Sequence, residues 1–187
     1  QTFPAFSLGW RISDEKFMES TKIWLDNLKL RVGYGETGST SNISPYASTS
    51  KIEQSYLTIG GEKITTYGYS KEVANKKLTW ERSKSWNIGL DAAFLNSRID
   101  LSMDWYLTNT SNVIWHKNLP VTGGAYNSTT QYLTNVNLAE TRNKGIELTL
   151  NTRNIVTKDF KWNSTLTFNY NKEEITKLMG TANDKVI

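Results

Sequence analysis

Alternation with a period of two runs through this chain, and it constrains the fold more than any other feature. Phe6, Leu8, Trp10 and Ile12 share one side of an extended backbone, with Ser7, Gly9 and Arg11 on the other. Leu28, Leu30, Val32 and Tyr34 repeat the pattern, as do Trp86, Ile88, Leu90, Ala92 and Phe94. Ile99 to Leu107, Ile146 to Leu150 and Trp162 to Tyr170 complete six clear strands. Successive strand side chains point to opposite faces, so such a run is a sheet with one apolar and one polar side. Val113–Leu119 and Gln131–Leu138 read as weaker strands that extend their neighbours; Tyr56–Ile59 and Lys63–Tyr69 are two further candidates. One short helical connector fits between the first two strands. Ser13 is its candidate cap, and Phe17, Thr21, Trp24, Leu25 and Leu28 fall near helical spacing.

The links between strands sort by length. Leu95-Asn96-Ser97-Arg98 and Asn154–Asp159 are short, whereas Glu36–Leu78 and Thr108–Lys144 are long and polar. With strands antiparallel in chain order, the short links and the helical connector fall at one end and the long loops at the other. Transmembrane β-barrels sort their loops this way, with short periplasmic turns and long extracellular loops. The aromatics agree. Trp10, Phe94 and Trp162 fall near the short-turn end of the apolar faces, and Tyr34, Trp86, Trp105 and Tyr170 near the long-loop end. Two aromatic girdles around an aliphatic band are what a barrel presents to lipid and its interfaces. A half-buried soluble sheet gives the same alternation, so a soluble β-sandwich that binds carbohydrate is the rival reading.

Composition excludes more than it selects. Only 37% of residues are apolar, with an unusually aromatic share of seven Trp, nine Tyr and six Phe. The longest apolar run is Ala92-Ala93-Phe94-Leu95, far short of the ~20 residues of a membrane helix, so any membrane crossing must use strands. No cysteine is present, which removes disulfides, thiolate metal sites and cysteine nucleophiles. The net charge of +4 is scattered, and no nucleic-acid patch is expected. The opening "QTFPAFSLGW" has no basic n-region followed by an apolar core, so no signal peptide is expected within the chain.

Three constellations invite a chemical reading and each has a plainer one. Gly33, Gly35 and Gly38 have the G-x-G-x-x-G spacing of a dinucleotide loop, but Ser39 to Pro45 is poor helix material, and no βαβ unit surrounds it. Gly33 and Gly35 read as small residues on the polar face and Gly38 as the start of a long loop. His116 gathers no ligand partners, so no metal site is expected. Asp100 and Asp104 could mimic a glycosidase pair, yet they share their face with Arg98 and read as a polar wall. No catalytic residue and no cofactor are expected. "NTS" at Asn109 and "NST" at Asn127 and Asn163 match glycan acceptors only formally. Trp115, Tyr126 and Tyr132 lie in or near a long loop, where rings could stack on a sugar or touch a lid protein.

Three stretches then carry a resemblance in the right order. "SLGWRISDEKFM…WLDNLKLRVGYGETG", "LTWERSKSWNIGLDAAFLNSRIDLSMDWYLTNTSNVI" and "NKGIELTLNTRNI…DFKWNSTLTFNYNKEEITKL" closely resemble the barrel of SusC/RagA-type TonB-dependent outer-membrane transporters. The resemblance spans nearly the whole chain and is faintest over Asn42–Lys77. It implies a plugged barrel of about 22 strands in the bacterial outer membrane. It further implies import of oligosaccharides or peptides, a SusD-like surface lipoprotein as lid, and the TonB complex acting on the plug from the periplasm. No plug domain or TonB-contacting segment is recognisable, and the strands are too few to close such a barrel. Residues 1–187 are thus expected to be part of the barrel domain, an all-β antiparallel stretch of wall with long extracellular loops.

Overall fold

The computed structural model describes residues 2–41, 43–70, 72–120 and 132–178. Among the described residues nine strands form in chain order: β1 (Ala5–Arg11), β2 (Leu25–Ser39), β3 (Ile52–Ile59), β4 (Glu62–Tyr69), β5 (Glu72–Val73), β6 (Glu81–Phe94), β7 (Ile99–Asn118), β8 (Leu133–Val156) and β9 (Lys161–Lys177). The main sheet runs β1-β2-β6-β7-β8, with β9 also paired to β8, and each of these neighbours is antiparallel. β3 and β4 form a separate hairpin, and β5 adds two residues in parallel to the start of β8.

The six strands read from alternation are all present, and the four weaker ones also form. Val113–Asn118 and Leu133–Leu138 of these candidates fall in the far halves of β7 and β8, which reach 20 and 24 residues; Gln131 lies outside the described residues. A tilted transmembrane strand needs only about 9–11 residues, so these two have about twice the length that a bilayer crossing would use. Much of the polar stretch Thr108–Lys144 is therefore an extended hairpin. Its polar residues alternate without an apolar face, which hides a strand from a pattern search.

Two features depart from the sequence reading. The connector between β1 and β2 is two 3-10 turns, Ile12–Asp14 and Lys16–Thr21, and Leu25 and Leu28 belong to β2. Strand pairing with β6 overrides the helical spacing there. Ser13 is buried but makes no capping bond. Gly38 does not open a loop: it still pairs with Arg82, and the Phe3 ring fills the space where a side chain would stand.

Leu95, Asn96 and Ser97 all take positive φ near 55°, and the Ser97 N–H donates to Asp26 Oδ2 at 2.9 Å. Leu95 N–H reaches the Trp24 carbonyl at 2.9 Å, and the Trp24 and Phe94 rings stack 6.0 Å apart.

There is almost no core. Among the described residues, the buried apolar side chains are Leu25, Ala47, Ala92, Ala93 and Ala139. Among the described residues no second sheet covers the main one, as the rival sandwich requires. No helix of the described residues is long and apolar enough to cross a membrane, which leaves strand crossing open.

Candidate functional site

The candidate site is the sheet itself, because its register sorts the two faces with almost no mixing. Trp10, Leu30, Leu90, Met103, Leu148 and Phe168 are successive cross-strand partners from β1 to β9. So are Leu8, Val32, Ile88, Trp105, Ile146 and Tyr170. Toward the short turns the row is Leu28, Ala92, Leu101, Leu150 and Leu166. A one-residue slip in any strand would move its apolar set to the other face, so this agreement fixes the register. The face is bare: Leu8, Leu166 and Phe168 are 68%, 60% and 58% exposed. At about 25 cal/mol per Å² of apolar surface, such a face in water is a large penalty that a partner or a lipid must remove.

The opposite face is polar, and its side chains bond to one another. Arg31 on β2 grips Asp91 on β6 through Nε and Nη2 at 2.8 and 2.9 Å, and reaches Asp104 on β7 at 3.0 Å. Ser102 donates to Asp91 at 3.0 Å. Gly89 makes this possible: a Cβ there would stand 2.5 Å from both the Arg31 guanidinium carbon and an Asp104 oxygen. Ser83 with Thr110 and Ser85 with Thr108 form hydroxyl pairs at 2.9 Å, and Thr165 donates to Asn151 at 2.8 Å. Gly33 and Gly35 lie on this face, as their strand parity requires.

The aromatic positions occupy the apolar face. Phe6, Tyr34 and Trp86 cluster toward the long loops, with Tyr34 and Trp86 rings 4.8 Å apart and Phe6 within 5.9 Å of both. Trp105 and Tyr170 sit one row nearer the middle. Phe94 and Trp162 lie toward the short turns; Trp10, at the level of Phe168, is six residues above Trp162 along β9.

Trp115 lies within β7, half exposed, opposite Val136 of β8. The backbone carbonyl of Tyr132 accepts the Leu119 N–H at 2.9 Å, closing the described part of the same hairpin. Tyr126 lies outside the described residues. His116 stands beside Trp115 opposite Asn135, and the described residues hold no group of three or more His, Cys, Asp or Glu able to bind a metal.

Sequence reasoning missed the anchoring of the loop end. The fully buried Asn135 donates to Glu72 at 2.5 Å, and its carbonyl accepts from Asn75 at 2.8 Å. Asn137 exchanges two 2.8 Å bonds with the Thr79 backbone and donates to the Asn112 carbonyl. The segment after β5 is thereby tied to β8. The β3–β4 hairpin was also underweighted. Tyr56 and Tyr67 are exposed on it, with Lys63 Nζ 3.9 Å from the Tyr56 ring centre. The Gly60-Gly61 turn, both residues at positive φ, was the available signal.

Comparison with known proteins gives the sheet its context. TonB-dependent receptor SusC of Bacteroides thetaiotaomicron is 36% identical over 184 residues, covering 96% of this chain. TonB-dependent receptor P3 of Formosa agariphila is 34% identical over 176 residues, covering 94%. The chain spans 17% of the length of each. The solved structure of the RagAB peptide transporter superposes with a TM-score of 0.79 at 27% identity, over 95% of this chain and 18% of that one. The RagAB peptide importer in its closed-closed state gives 0.80 over 97% of this chain. The family described as "TonB dependent receptor-like, beta-barrel" matches residues 1–186, and the chain belongs to that family.

Proposed function

We propose that this chain forms a stretch of wall in a SusC-like importer of the bacterial outer membrane, its apolar face against lipid and its polar face toward the lumen. The observation that carries this is the bare apolar face, in register across six strands. Its height suits a bilayer. Phe94 to Trp86 is eight residues, about 27 Å along the strand and about 21 Å along the normal after a ~40° tilt, close to the ~25 Å apolar band of such barrels.

Tilt also accounts for the offset between Trp10 and Trp162. With strands ~4.8 Å apart and tilted ~40°, a line of constant depth shifts about 1.2 residues per strand. Over the five steps from β1 to β9 that is about six residues, which matches the separation of Phe168, on the Trp10 row, from Trp162. Trp10, Phe94 and Trp162 then make one girdle, and Tyr34, Trp86, Trp105 and Tyr170 the other.

In this reading the wall is passive, and the moving parts are the plug and the TonB complex. The cargo is an oligosaccharide or a peptide, admitted under a SusD-like lipoprotein. Trp115 and Tyr132, in the described part of the long hairpin, and Tyr126, which lies outside the described residues, are the candidates for contact with cargo or lid. Alanine at Trp115 and Tyr126 in the whole transporter should lower uptake or weaken lid association; unchanged values for both would remove those two from the site.

The membrane assignment has a direct test. In the transporter reconstituted into bilayers, brominated acyl chains should quench the fluorescence of Trp86 and Trp105, each studied as the sole tryptophan of the wall. The chain expressed alone should aggregate without detergent, since β1 and β9 leave open edges and the apolar face has no cover. A monodisperse, cooperatively melting monomer in plain buffer would refute the assignment.

A further inference from the structure

The apolar face does not end alike at its two ends. At the short-turn end its last shared row is Phe94, Ile99, Thr152 and Ser164, without a charge. At the long-loop end, Lys144 and Lys172 are direct cross-strand partners on the row of Phe6, Tyr34, Trp86 and Leu107. One row further, Glu36, Lys84, Asn109, Arg142 and Glu174 are partners in turn. The register is unbroken between these rows and the apolar ones, so all these side chains leave the sheet on the lipid side.

The local charge is not balanced within the chain. Glu36 is taken up by Arg82, whose Nε donates to it at 2.6 Å, and by the Tyr34 hydroxyl. Glu174 lies 3.6 Å from Lys172, and Arg142 Nε donates to the neutral Asn109 at 2.9 Å. Among the described residues no carboxylate lies within ion-pair distance of Lys144, Arg142 or Lys84, although Glu36 and Glu174 are the cross-strand partners of Lys84 and Arg142. Like charges directly opposite in a sheet repel, and Glu174 offsets Lys172 alone, so an excess of positive charge remains on Lys144 and Arg142. Cross-strand neighbours are about 5 Å apart and Arg142 is about 7 Å from Lys144 along β8, a triangle that one phosphate group can bridge.

We propose that Arg142, Lys144 and Lys172, with Lys84 beside them, bind the phosphate of a glycolipid in the outer leaflet. The position selects a lipid over a soluble anion. The cations stand on the lipid-facing side, one or two rows beyond Trp105 and Tyr170, at the depth where head groups begin. The proposal rests on the wall reading above.

The test uses the whole transporter in neutral detergent, with bound lipid counted by native mass spectrometry during titration with monophosphorylated lipid A. The parent protein should retain this lipid, and Arg142→Gln/Lys144→Gln/Lys172→Gln should weaken retention at least about tenfold. Lys144→Arg, which keeps the charge, should bind like the parent, and Lys29→Gln on the lumen face should change nothing. Equal retention by the triple variant, or of the same lipid without its phosphate, overturns the proposal. Displacement of the lipid by millimolar inorganic phosphate assigns the cations to a soluble anion and overturns it equally. If the triple variant does not fold, Lys144→Gln alone is read the same way. Quenching of Trp86 and Trp105 by brominated lipid separates the two levels. Normal quenching with unchanged lipid A retention defeats this proposal alone, whereas absent quenching defeats the wall reading.

Discussion

The two faces of the β2-β6-β7 sheet share the same backbone and differ in everything their side chains do. On one side Arg31, Asp91, Asp104 and Ser102 satisfy one another through four bonds of 2.8–3.0 Å. On the other, Leu30, Leu90 and Met103 stand in line, Leu30 and Leu90 half-buried among their neighbours and Met103 exposed. The polar face suits contact with water or polar protein, because its groups keep partners and still accept new ones. The apolar face offers no hydrogen bond to anything, so only an apolar medium suits it. The difference teaches that such a sheet suits a boundary between two media, where its stability would rest on both media as much as on the fold.

Substitutions in the whole transporter can break or sharpen that contrast. The largest effect is expected from Leu90→Arg, which places a charge in the middle of the apolar face and should cost about 2–4 kcal/mol in lipid. The matching Thr149→Arg on the polar face should stay within about 1 kcal/mol, both read from denaturant unfolding in bilayers. If the two cost the same, the faces do not meet different media. Gly89→Val should come next, at about 1–3 kcal/mol, because its side chain must displace the Arg31–Asp104 contact. Arg31→Met leaves Asp91 and Asp104 without their cation; with these groups about a third exposed or less, about 1 kcal/mol is expected at neutral pH. Equal stability of Arg31→Met and the parent would contradict the pairing. Smallest is Ser85→Ala, which removes the 2.9 Å hydroxyl pair with Thr108 and should shift stability by about 0.5 kcal/mol or less.

What could be read ahead of the structure follows the same division. The apolar face was legible residue by residue, since burial or lipid contact demands Leu, Val, Ile, Phe or Trp at every second position. The far halves of β7 and β8 were only faint, because strands with water on both sides carry no such demand. Val113 and Ile114 hint at a strand, but Asn109, Thr110, Ser111 and Asn112 conceal its continuity, and the register shifts between Thr110 and Ile114. The connector was misread as one helix reaching Leu28 because Phe17, Thr21, Trp24 and Leu25 match a helical period. Their neighbours in space, β6 above all, decided otherwise.

The site divides in the same way. Trp10, Trp86, Trp105 and Trp162 could be placed on a face from parity alone. That Trp10 and Trp162 fall six residues apart in register needed the pairing of all six strands. Arg31, Asp91 and Asp104 are up to 73 positions apart, and no local pattern joins them. Gly89 looked like any strand glycine until a guanidinium and a carboxylate were found meeting over it.

The sequence by itself determined which side chains share a face, because a strand's period of two is a local property of the backbone. It also determined that the chain crosses no membrane as a helix and that its loops sort by length. Tertiary structure alone decided which residues lie side by side: the Arg31 clamp, the Asn135 and Asn137 anchors, and the three cations around Lys144. Those neighbours come from register between distant strands, and register is set by the sum of many cross-strand contacts rather than by any one stretch of sequence.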